Sequence, residues 1–192
     1  MTKSIKIAWD KSDSISASCS ILERGGIIVY PTDTIYGIGC DAKNKHAIEK
    51  INFIKGRQTP MSVITSSKSV IRTWLDIEER YQKIILKKIT SSDTFIVPVK
   101  DNIVSNLILG KNNSLGIRIP NHKFCNKLSL SYPNPIITTS VNRTGKKPLT
   151  RPDLINIEFK NEIDLIIDDG VLDNKGSKIF KFDNKEFICL RS

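Results

Sequence analysis

The chain has 192 residues, a mass of 21.6 kDa, 39% hydrophobic residues and 26% charged residues. These values exclude a wholly disordered chain, because a domain of this size buries a core without disulfides or metal. No apolar run approaches the ~20 residues of a membrane span, and the first residues lack a stretch of signal-peptide length. We therefore expect a single domain over residues 1–192 that is soluble, cytoplasmic and without membrane contact.

The charge favours a polyanionic partner without identifying it. The formal net charge is +10, with −2 in residues 151–192 and +12 in residues 1–150. A basic body of this kind favours a nucleotide or an RNA. A composition rich in Lys, Ile and Asn, as in proteins of AT-rich genomes, explains the same excess. Charge alone therefore leaves RNA contact open.

The cysteines and histidines exclude two kinds of site. Four cysteines, none within three residues of another, and two histidines give no CxxC or HExxH spacing. A structural zinc site and Ser-His-Asp catalysis are therefore not expected. We interpret the cysteines as small buried side chains of a reducing compartment. They are Cys19, Cys40, Cys125 and Cys189.

Apolar patterning alternates strands with helices, which predicts an α/β fold with a mixed, twisted sheet. In the first half the predicted elements are a strand at 5–8, a helix at 13–24, a strand at 26–31, a helix at 44–54, a strand at 61–65, a helix at 77–89 and a strand at 94–100. In the second half they are a short helix around 102–109, a turn at 110–114, a strand at 115–120, a helix at 122–132, a strand at 135–140, a helix at 152–159 and strands at 164–170, 178–182 and 186–190.

The spacing of apolar residues also predicts which helix faces are buried. In the first helix, Ile15, Cys19 and Leu22 share one face. In the second helix, four positions at helical spacing point inward, namely Ala47, Ile48, Ile51 and Ile54. An Asp-Asn turn between the last two strands predicts a hairpin.

The first polar segment that interrupts the strands is YPTDTIYGIG at 30–39. It follows an apolar strand and contains the hydroxyl residues Thr32, Thr34 and Tyr36. Such a turn can present hydroxyl and backbone N–H groups to a small polar ligand. An ordinary turn, stabilised by Asp33 and the threonine hydroxyls, is the alternative.

The second segment is Lys55-Gly56-Arg57, directly after a predicted helix. Two cations at this spacing can grip one polyphosphate, since Arg forks two phosphate oxygens and Lys supplies a point charge. The alternative is a basic helix C-terminus that complements the helix dipole.

The third segment, TTSVNRTG at 138–145, begins where an apolar strand gives way to a turn. In α/β folds, ligands bind beyond the carboxyl ends of strands. Ser, Asn and free backbone N–H groups there can bind a phosphate or a nucleoside. A loop with helix-capping hydroxyls is the alternative.

Arg118 lies inside the apolar strand LGIRIP. Residues 115, 117 and 119 share one face of this strand, and Arg118 points to the other. A guanidinium among apolar residues needs an anionic partner. The pattern leaves a substrate carboxylate and a structural Asp as equal alternatives.

Together these segments resemble the YrdC-like domain of threonylcarbamoyl-AMP synthases. The resemblance covers essentially the whole chain and implies the short, single-domain form of that family. It implies an open, twisted mixed-sheet α/β sandwich around a positively charged central cavity. The matching strings, in the family's order, are GGIIVYPTDTIYGIGCDA at 25–42, IKGR at 54–57, PMSVI at 60–64, LGIRIPNH at 115–122, IITTSVNRTGKKP at 136–148 and DLIIDDG at 164–170.

The resemblance implies a nucleotidyltransferase, an L-threonylcarbamoyladenylate synthase. Such an enzyme condenses L-threonine, bicarbonate and ATP to threonylcarbamoyl-AMP and pyrophosphate. The product feeds modification of the tRNA adenosine beside the anticodon through a downstream threonylcarbamoyl-transferase complex, and direct tRNA contact is a further option. Mg²⁺ is expected to accompany ATP, without a dedicated metal site in the protein. Because the carbamate itself attacks the α-phosphate, the protein's task is positioning and charge stabilisation.

The resemblance also implies individual roles. The catalytic set, which holds the ATP phosphates, is Lys55, Arg57, Ser140 and Asn142. Further ATP-binding residues, which close over the nucleotide, are Thr94, Ser177 and Arg191. The residues implied to bind the substrate L-threonine are Thr32, Thr34, Tyr36, Arg118 and Thr138. Among them, Arg118 is implied to bind the substrate carboxylate.

The sequence departs from the family pattern around this set. Thr90-Ser91-Ser92 stands where the family has Pro-Gly-Pro, and Lys178 stands where Thr usually follows Ser177. The loop between Arg57 and Pro60 is about two residues shorter than in the family. A catalytically degenerate relative that binds a nucleotide or RNA is therefore the alternative to a working synthase.

Overall fold

The computed structural model describes residues 4–56, 58 and 60–192. Arg57 lies outside the described residues. Strands within the described ranges are β1 Ile5–Ala8, β2 Ile28–Tyr30, β3 Gly37–Gly39, β4 Ser62–Ile64, β5 Thr94–Pro98, β6 Ser114–Arg118, β7 Ile136–Ser140, β8 Leu165–Asp168, β9 Ile179–Asp183 and β10 Glu186–Arg191. Helices there are α1 Ser14–Glu23, α2 Lys45–Lys55, α3 Lys68–Trp74, α4 Glu79–Lys88, α5 Lys123–Ser131 and α6 Pro152–Phe159, with 3₁₀ turns at Asn106–Ile108 and Lys111–Asn113.

The strands of the described chain form a ten-stranded sheet in the order β1-β8-β2-β3-β7-β4-β6-β5-β9-β10. β8 is parallel to both β1 and β2, β4 is parallel to β6, and β5 is parallel to β9. The other pairings are antiparallel. The predicted α/β class with a mixed sheet is therefore confirmed. β7 joins the two halves of the sheet, because it pairs with β3 on one side and β4 on the other.

The core follows the apolar spacing of both α2 and α1. All four predicted inward positions of α2 are buried. In α1 the predicted face is confirmed, because Leu22 is buried and the half-buried Ile15 and Cys19 pack against the same cluster. Ser14 and Ser18 are buried on this helix as well. Both serine hydroxyls bond to backbone oxygens, that of Ser14 to Trp9 and that of Ser18 to Ser14. Small serines with satisfied hydroxyls turn that side of the helix toward the protein interior.

Two elements were missed and one burial prediction is wrong. The pattern predicted no strand at β3, whose Gly-Ile-Gly sequence has weak strand propensity, and no helix at α3, which Ser67 caps by accepting from Val70 N. Cys40 and Cys125 are buried as predicted. Cys189 is exposed, because it lies on β10, which ends the sheet. β9 and β10 form the predicted hairpin.

The glycines of β3 admit the ring of Tyr30, which bonds through its hydroxyl to the backbone oxygen of Ile137 at 2.8 Å. A Cβ on Gly39 would overlap that same carbonyl oxygen and approach the Tyr30 ring to 3.1 Å. We therefore expect Gly39→Ala to lower the free energy of unfolding by about 2–3 kcal/mol, as overpacking a core does.

Urea unfolding measures this loss, and Gly176→Ala is the matched control. A Cβ on Gly176 meets nothing closer than 3.6 Å. We expect the control to stay within about 0.5 kcal/mol of the unsubstituted protein. Equal losses in the two variants would contradict the proposed overlap at Gly39.

None of the helices in the described residues is both long and apolar enough to cross a membrane.

Candidate active site

A cavity of about 690 Å³ lies where β3, β4, β6 and β7 bring polar strand ends together. Its wall is completed by the segment 169–178, which joins β8 to β9 and contains no helix or strand. Nine of the twelve predicted site residues line this one cavity. These nine are Thr32, Thr34, Tyr36, Thr94, Arg118, Thr138, Ser140, Ser177 and Arg191.

Arg118 enters the cavity from the end of β6 and is only 5% exposed. Its Nη2 donates to Asp33 Oδ1 at 2.7 Å and to Thr34 Oγ1 at 2.9 Å. The structure therefore supplies a structural Asp, one of the two partners that the sequence left open. Arg118 Nε is buried and has no hydrogen-bond partner among the described residues. A buried donor without a partner costs free energy, which a ligand oxygen would recover.

The turn between β2 and β3 is held by its own hydroxyls. Thr32 Oγ1 donates to the backbone oxygen of Ile35 at 2.7 Å and accepts from Thr34 N at 3.1 Å. These contacts agree with the ordinary-turn alternative, and they also fix the two threonines as part of the cavity wall. The ordinary-turn interpretation is therefore confirmed, and ligand binding by this turn stays a prediction.

Tyr36 fastens the segment 169–178 to this turn. Its hydroxyl donates to Gly170 O at 2.9 Å and accepts from Asp169 N at 2.8 Å. Burial raises the pKa of Tyr36, so the side chain stays a neutral phenol at neutral pH. The hydroxyl that the sequence assigned to threonine is therefore already used to hold the cavity wall.

Lys55 comes from the last turn of α2. This helix begins after Asn44, whose side chain accepts from Ala47 N, and it ends at Gly56 with φ +64°. Lys55 is 3% exposed and therefore does not end in solvent as a basic helix terminus does.

Its amine joins the two predicted phosphate segments. Lys55 Nζ donates to Ser140 O at 2.7 Å and to Asn142 Oδ1 at 2.8 Å. Ser140 Oγ donates to the same Asn142 oxygen. Lys55 and Asn142 thus lie behind Ser140, which is the member of the set that lines the cavity. The predicted Lys55, Ser140 and Asn142 meet in space, while Arg57 is not described.

Thr94, Ser177 and Arg191 also line the cavity and are bonded to one another. Thr94 and Ser177 share a buried hydroxyl–hydroxyl bond of 2.9 Å. Arg191 Nε and Nη2 donate to Ser177 O at 3.0 and 2.6 Å. Burial lowers the pKa of Arg191, and the positive charge of Arg118 lowers it further. Two guanidiniums that repel each other across one cavity favour an anion between them.

The charged side chains that line the cavity in the described part of the chain are all basic. They are Arg118, Lys147, Lys175 and Arg191. The sequence predicted the two arginines and missed the two lysines. Lys147 lay within the string at 136–148, so its place beside the third polar segment was the available signal. No pattern marked Lys175. The sign of the potential in the cavity stays a prediction.

The described residues contain no group of three or more His, Cys, Asp or Glu side chains that could hold a metal ion. Mg²⁺ is usually held by one or two carboxylates together with substrate phosphates, without a dedicated protein cage. The expected Mg²⁺ stays a prediction.

Two departures from the family pattern lie outside the cavity wall. Thr90 bonds through its hydroxyl to Asp93 Oδ2 on an exposed loop, so this segment closes its own turn. The side chain of Lys178 is exposed, and its backbone oxygen accepts from Thr94 N at 2.8 Å. Neither contact needs the residue type that the family has there.

Comparisons with known proteins show the family of this chain. The Sua5/YciO/YrdC family, described as Telomere recombination, matches residues 20–192. A protein of Methanocaldococcus jannaschii named putative threonylcarbamoyl-AMP synthase is 34% identical over 171 residues, which are 88% of this chain and 80% of that protein. The threonylcarbamoyl-AMP synthase of Saccharophagus degradans is 30% identical over 140 residues, which are 71% of this chain and 73% of that protein.

Solved structures share the fold. E. coli YciO superposes with a TM-score of 0.88 at 24% identity and covers 100% of this chain and 96% of its own. P. abyssi Sua5 complexed with L-threonine superposes with a TM-score of 0.86 at 23% identity over 99% of this chain. This chain spans 57% of the length of that Sua5. The predicted YrdC-like sandwich is confirmed, and the chain belongs to the Sua5/YciO/YrdC family, which includes proteins named threonylcarbamoyl-AMP synthase.

Proposed function

We propose that this chain is an L-threonylcarbamoyladenylate synthase, a nucleotidyltransferase that makes threonylcarbamoyl-AMP and pyrophosphate from L-threonine, bicarbonate and ATP. One observation carries the proposal. Lys55 of one predicted phosphate segment bonds to Ser140 and Asn142 of the other, and Ser140 lines the same cavity as Arg118. This contact supports a phosphate site and a carboxylate site in one space.

The chemistry needs positioning more than it needs a side-chain nucleophile. The threonine amine attacks bicarbonate, which gives a carbamate and water, and a carbamate oxygen then attacks the α-phosphorus of ATP while pyrophosphate leaves. Arg118 would hold the threonine carboxylate through the unpaired Nε. Lys147 and Arg191 would neutralise phosphate charge, and Ser140 would offer it a neutral polar contact. Fixed donors of this kind stabilise charge that develops in a transition state.

The biological setting is part of the same proposal. The product would pass to a threonylcarbamoyl-transferase complex that modifies the tRNA adenosine beside the anticodon, and the protein would work in the cytoplasm as one domain over residues 1–192. The relatives named threonylcarbamoyl-AMP synthase support this setting. The net charge of +10 supports direct tRNA contact.

Product formation tests the proposal. The purified protein is incubated with ATP, L-threonine and bicarbonate, pyrophosphate is measured by a coupled assay, and threonylcarbamoyl-AMP is sought by mass spectrometry. We expect both products only when all three substrates are present. ATP binding in calorimetry without any product would overturn the synthase and leave a degenerate nucleotide-binding relative.

A further inference from the structure

The carbonyl end of α2 is bonded to the turn that follows β7. Gly56 N closes the helix on Asn52 O and Phe53 O. Lys55 O accepts from Thr144 Oγ1 at 2.6 Å and from Thr144 N at 3.3 Å.

Arg143 donates to the carbonyl group of the residue before Lys55 in α2. Its Nη1 donates to Ile54 O at 3.1 Å. The backbone of the turn is thereby tied to the same end of α2 from which Lys55 reaches Ser140 and Asn142.

Arg143 is itself fixed from the side of α6. Its Nη2 donates to Glu162 Oε1 at 3.0 Å and to Oε2 at 2.7 Å. Its guanidinium carbon lies 4.9 Å from the centre of the Phe159 ring. The planar guanidinium of Arg143 therefore bonds to the carbonyl oxygen of Ile54 and to a carboxylate at the same time, and one of its faces stacks on an aromatic ring. A lysine ammonium, which is a point charge on a flexible chain, does not reproduce this geometry.

We propose that Arg143, held by Glu162, is a positioning residue that sets the distance between α2 and the turn after β7, and so orients Lys55 for ATP binding. The inference rests on the proposed function, since ATP is the ligand concerned. Although Arg143 lies in a segment predicted to bind phosphate, its described donors point to Ile54, to Glu162 and, at 4.0 Å from Nε, to Glu158 Oε1, and it does not line the cavity. It acts through the backbone that it holds.

Four variants separate positioning from simple stabilisation. Glu162→Gln and Arg143→Lys disrupt the bonds that join Arg143 to Glu162 and to Ile54 O. The double exchange Arg143→Glu with Glu162→Arg restores the ion pair and lacks a donor for Ile54 O. The matched control is Asp153→Asn, which breaks the exposed pair with Arg151 at the other end of α6.

The readouts are the Kd of ATP and of L-threonine by calorimetry, the Tm, and the hydrogen exchange of the amides at 54–56. We expect Glu162→Gln and Arg143→Lys to weaken ATP binding about tenfold, which is the effect of losing one hydrogen bond to a charged group. We expect threonine binding to stay within about twofold, because Arg118 lies elsewhere in the cavity. The double exchange should recover the Tm and leave ATP binding weak, and Asp153→Asn should change neither.

Unchanged ATP affinity in both single variants overturns the inference, and so does full recovery of ATP affinity in the double exchange. If the unsubstituted protein binds no ATP, the proposed function fails and hydrogen exchange decides the positioning role alone. Faster hydrogen exchange at 54–56 in Glu162→Gln, with no change in Asp153→Asn, then supports the positioning role of Arg143. Equal exchange rates in all proteins overturn it.

Discussion

Lys55→Ala is expected to reduce kcat/KM for pyrophosphate release by about two orders of magnitude, because the segment proposed to hold the phosphates loses the cation that fixes it and a misplaced binding group costs about that much. Lys55 Nζ donates to both Ser140 O and Asn142 Oδ1, and it is 3% exposed. Its loss removes a positive charge beside the proposed phosphate site and takes one donor each from Ser140 O and Asn142 Oδ1. The coupled pyrophosphate assay at saturating threonine and bicarbonate measures the effect.

The control for this substitution lies on the same helix. Lys50 is exposed, so Lys50→Ala changes the net charge by the same amount without touching the cavity. We expect its kcat/KM to stay within about twofold of the unsubstituted protein. Near-normal kinetics in Lys55→Ala, or an equal loss in Lys50→Ala, would contradict the role that we assign to Lys55. Arg57→Ala extends the same test to the predicted phosphate residue outside the described chain.

The parts of the fold that follow from local pattern were predictable from the sequence. α2 shows this best, because its four apolar positions recur at helical spacing, with a capping Asn44 before the helix and a glycine after it. β3 shows the opposite case. Gly37–Gly39 has no strand signal, and it forms a strand because it pairs with β2 and β7. Its glycines are required because Tyr30 and β7 occupy the space that side chains would fill. That reason lies in tertiary contacts, which no local pattern contains.

The candidate site was likewise predictable from the sequence only in part. The sequence placed Arg118 in a strand and required an anion for it, since burial of an unpaired guanidinium is costly. It did not identify Asp33, because the two residues are 85 positions apart and meet only when β6 lies beside the turn after β2. Lys175 was missed for a related reason. Its segment at 169–178 has no periodicity and is held in place by Tyr36.

The departures from the family pattern bear on which enzyme this is. They made a degenerate relative the alternative to a working synthase, and the structure places the changed side chains of Thr90 and Lys178 away from the cavity. The contacts that reach the cavity from those segments come from Thr94 and from the backbone of residue 178. Since backbone contacts survive substitution, a change from Thr to Lys there is compatible with an intact site. This favours the synthase over the degenerate relative.

Arg118→Lys is expected to raise the KM for L-threonine by about a hundredfold while the KM for ATP changes by less than about threefold. Arg118 donates to Asp33 and Thr34 through one nitrogen and keeps Nε unpaired in the described chain. A lysine ammonium can satisfy Asp33 but cannot also present a second donor in the plane of a carboxylate. Initial rates with varied threonine at saturating ATP and bicarbonate measure the change.

Removing the charges of both Arg118 and Asp33 separates the structural role of Arg118 from its role in threonine binding. Arg118→Ala leaves the carboxylate of Asp33 without its partner, and we expect a loss of about 3–5 kcal/mol in the free energy of unfolding. Arg118→Met combined with Asp33→Asn removes both charges, so most of that stability should return because no buried charge is left unpaired. Threonine binding should stay lost in the double variant, because the carboxylate donor is still absent. Recovery of threonine binding together with stability would mean that Arg118 serves only Asp33, and the threonine carboxylate would then have to be bound by another cation of the cavity.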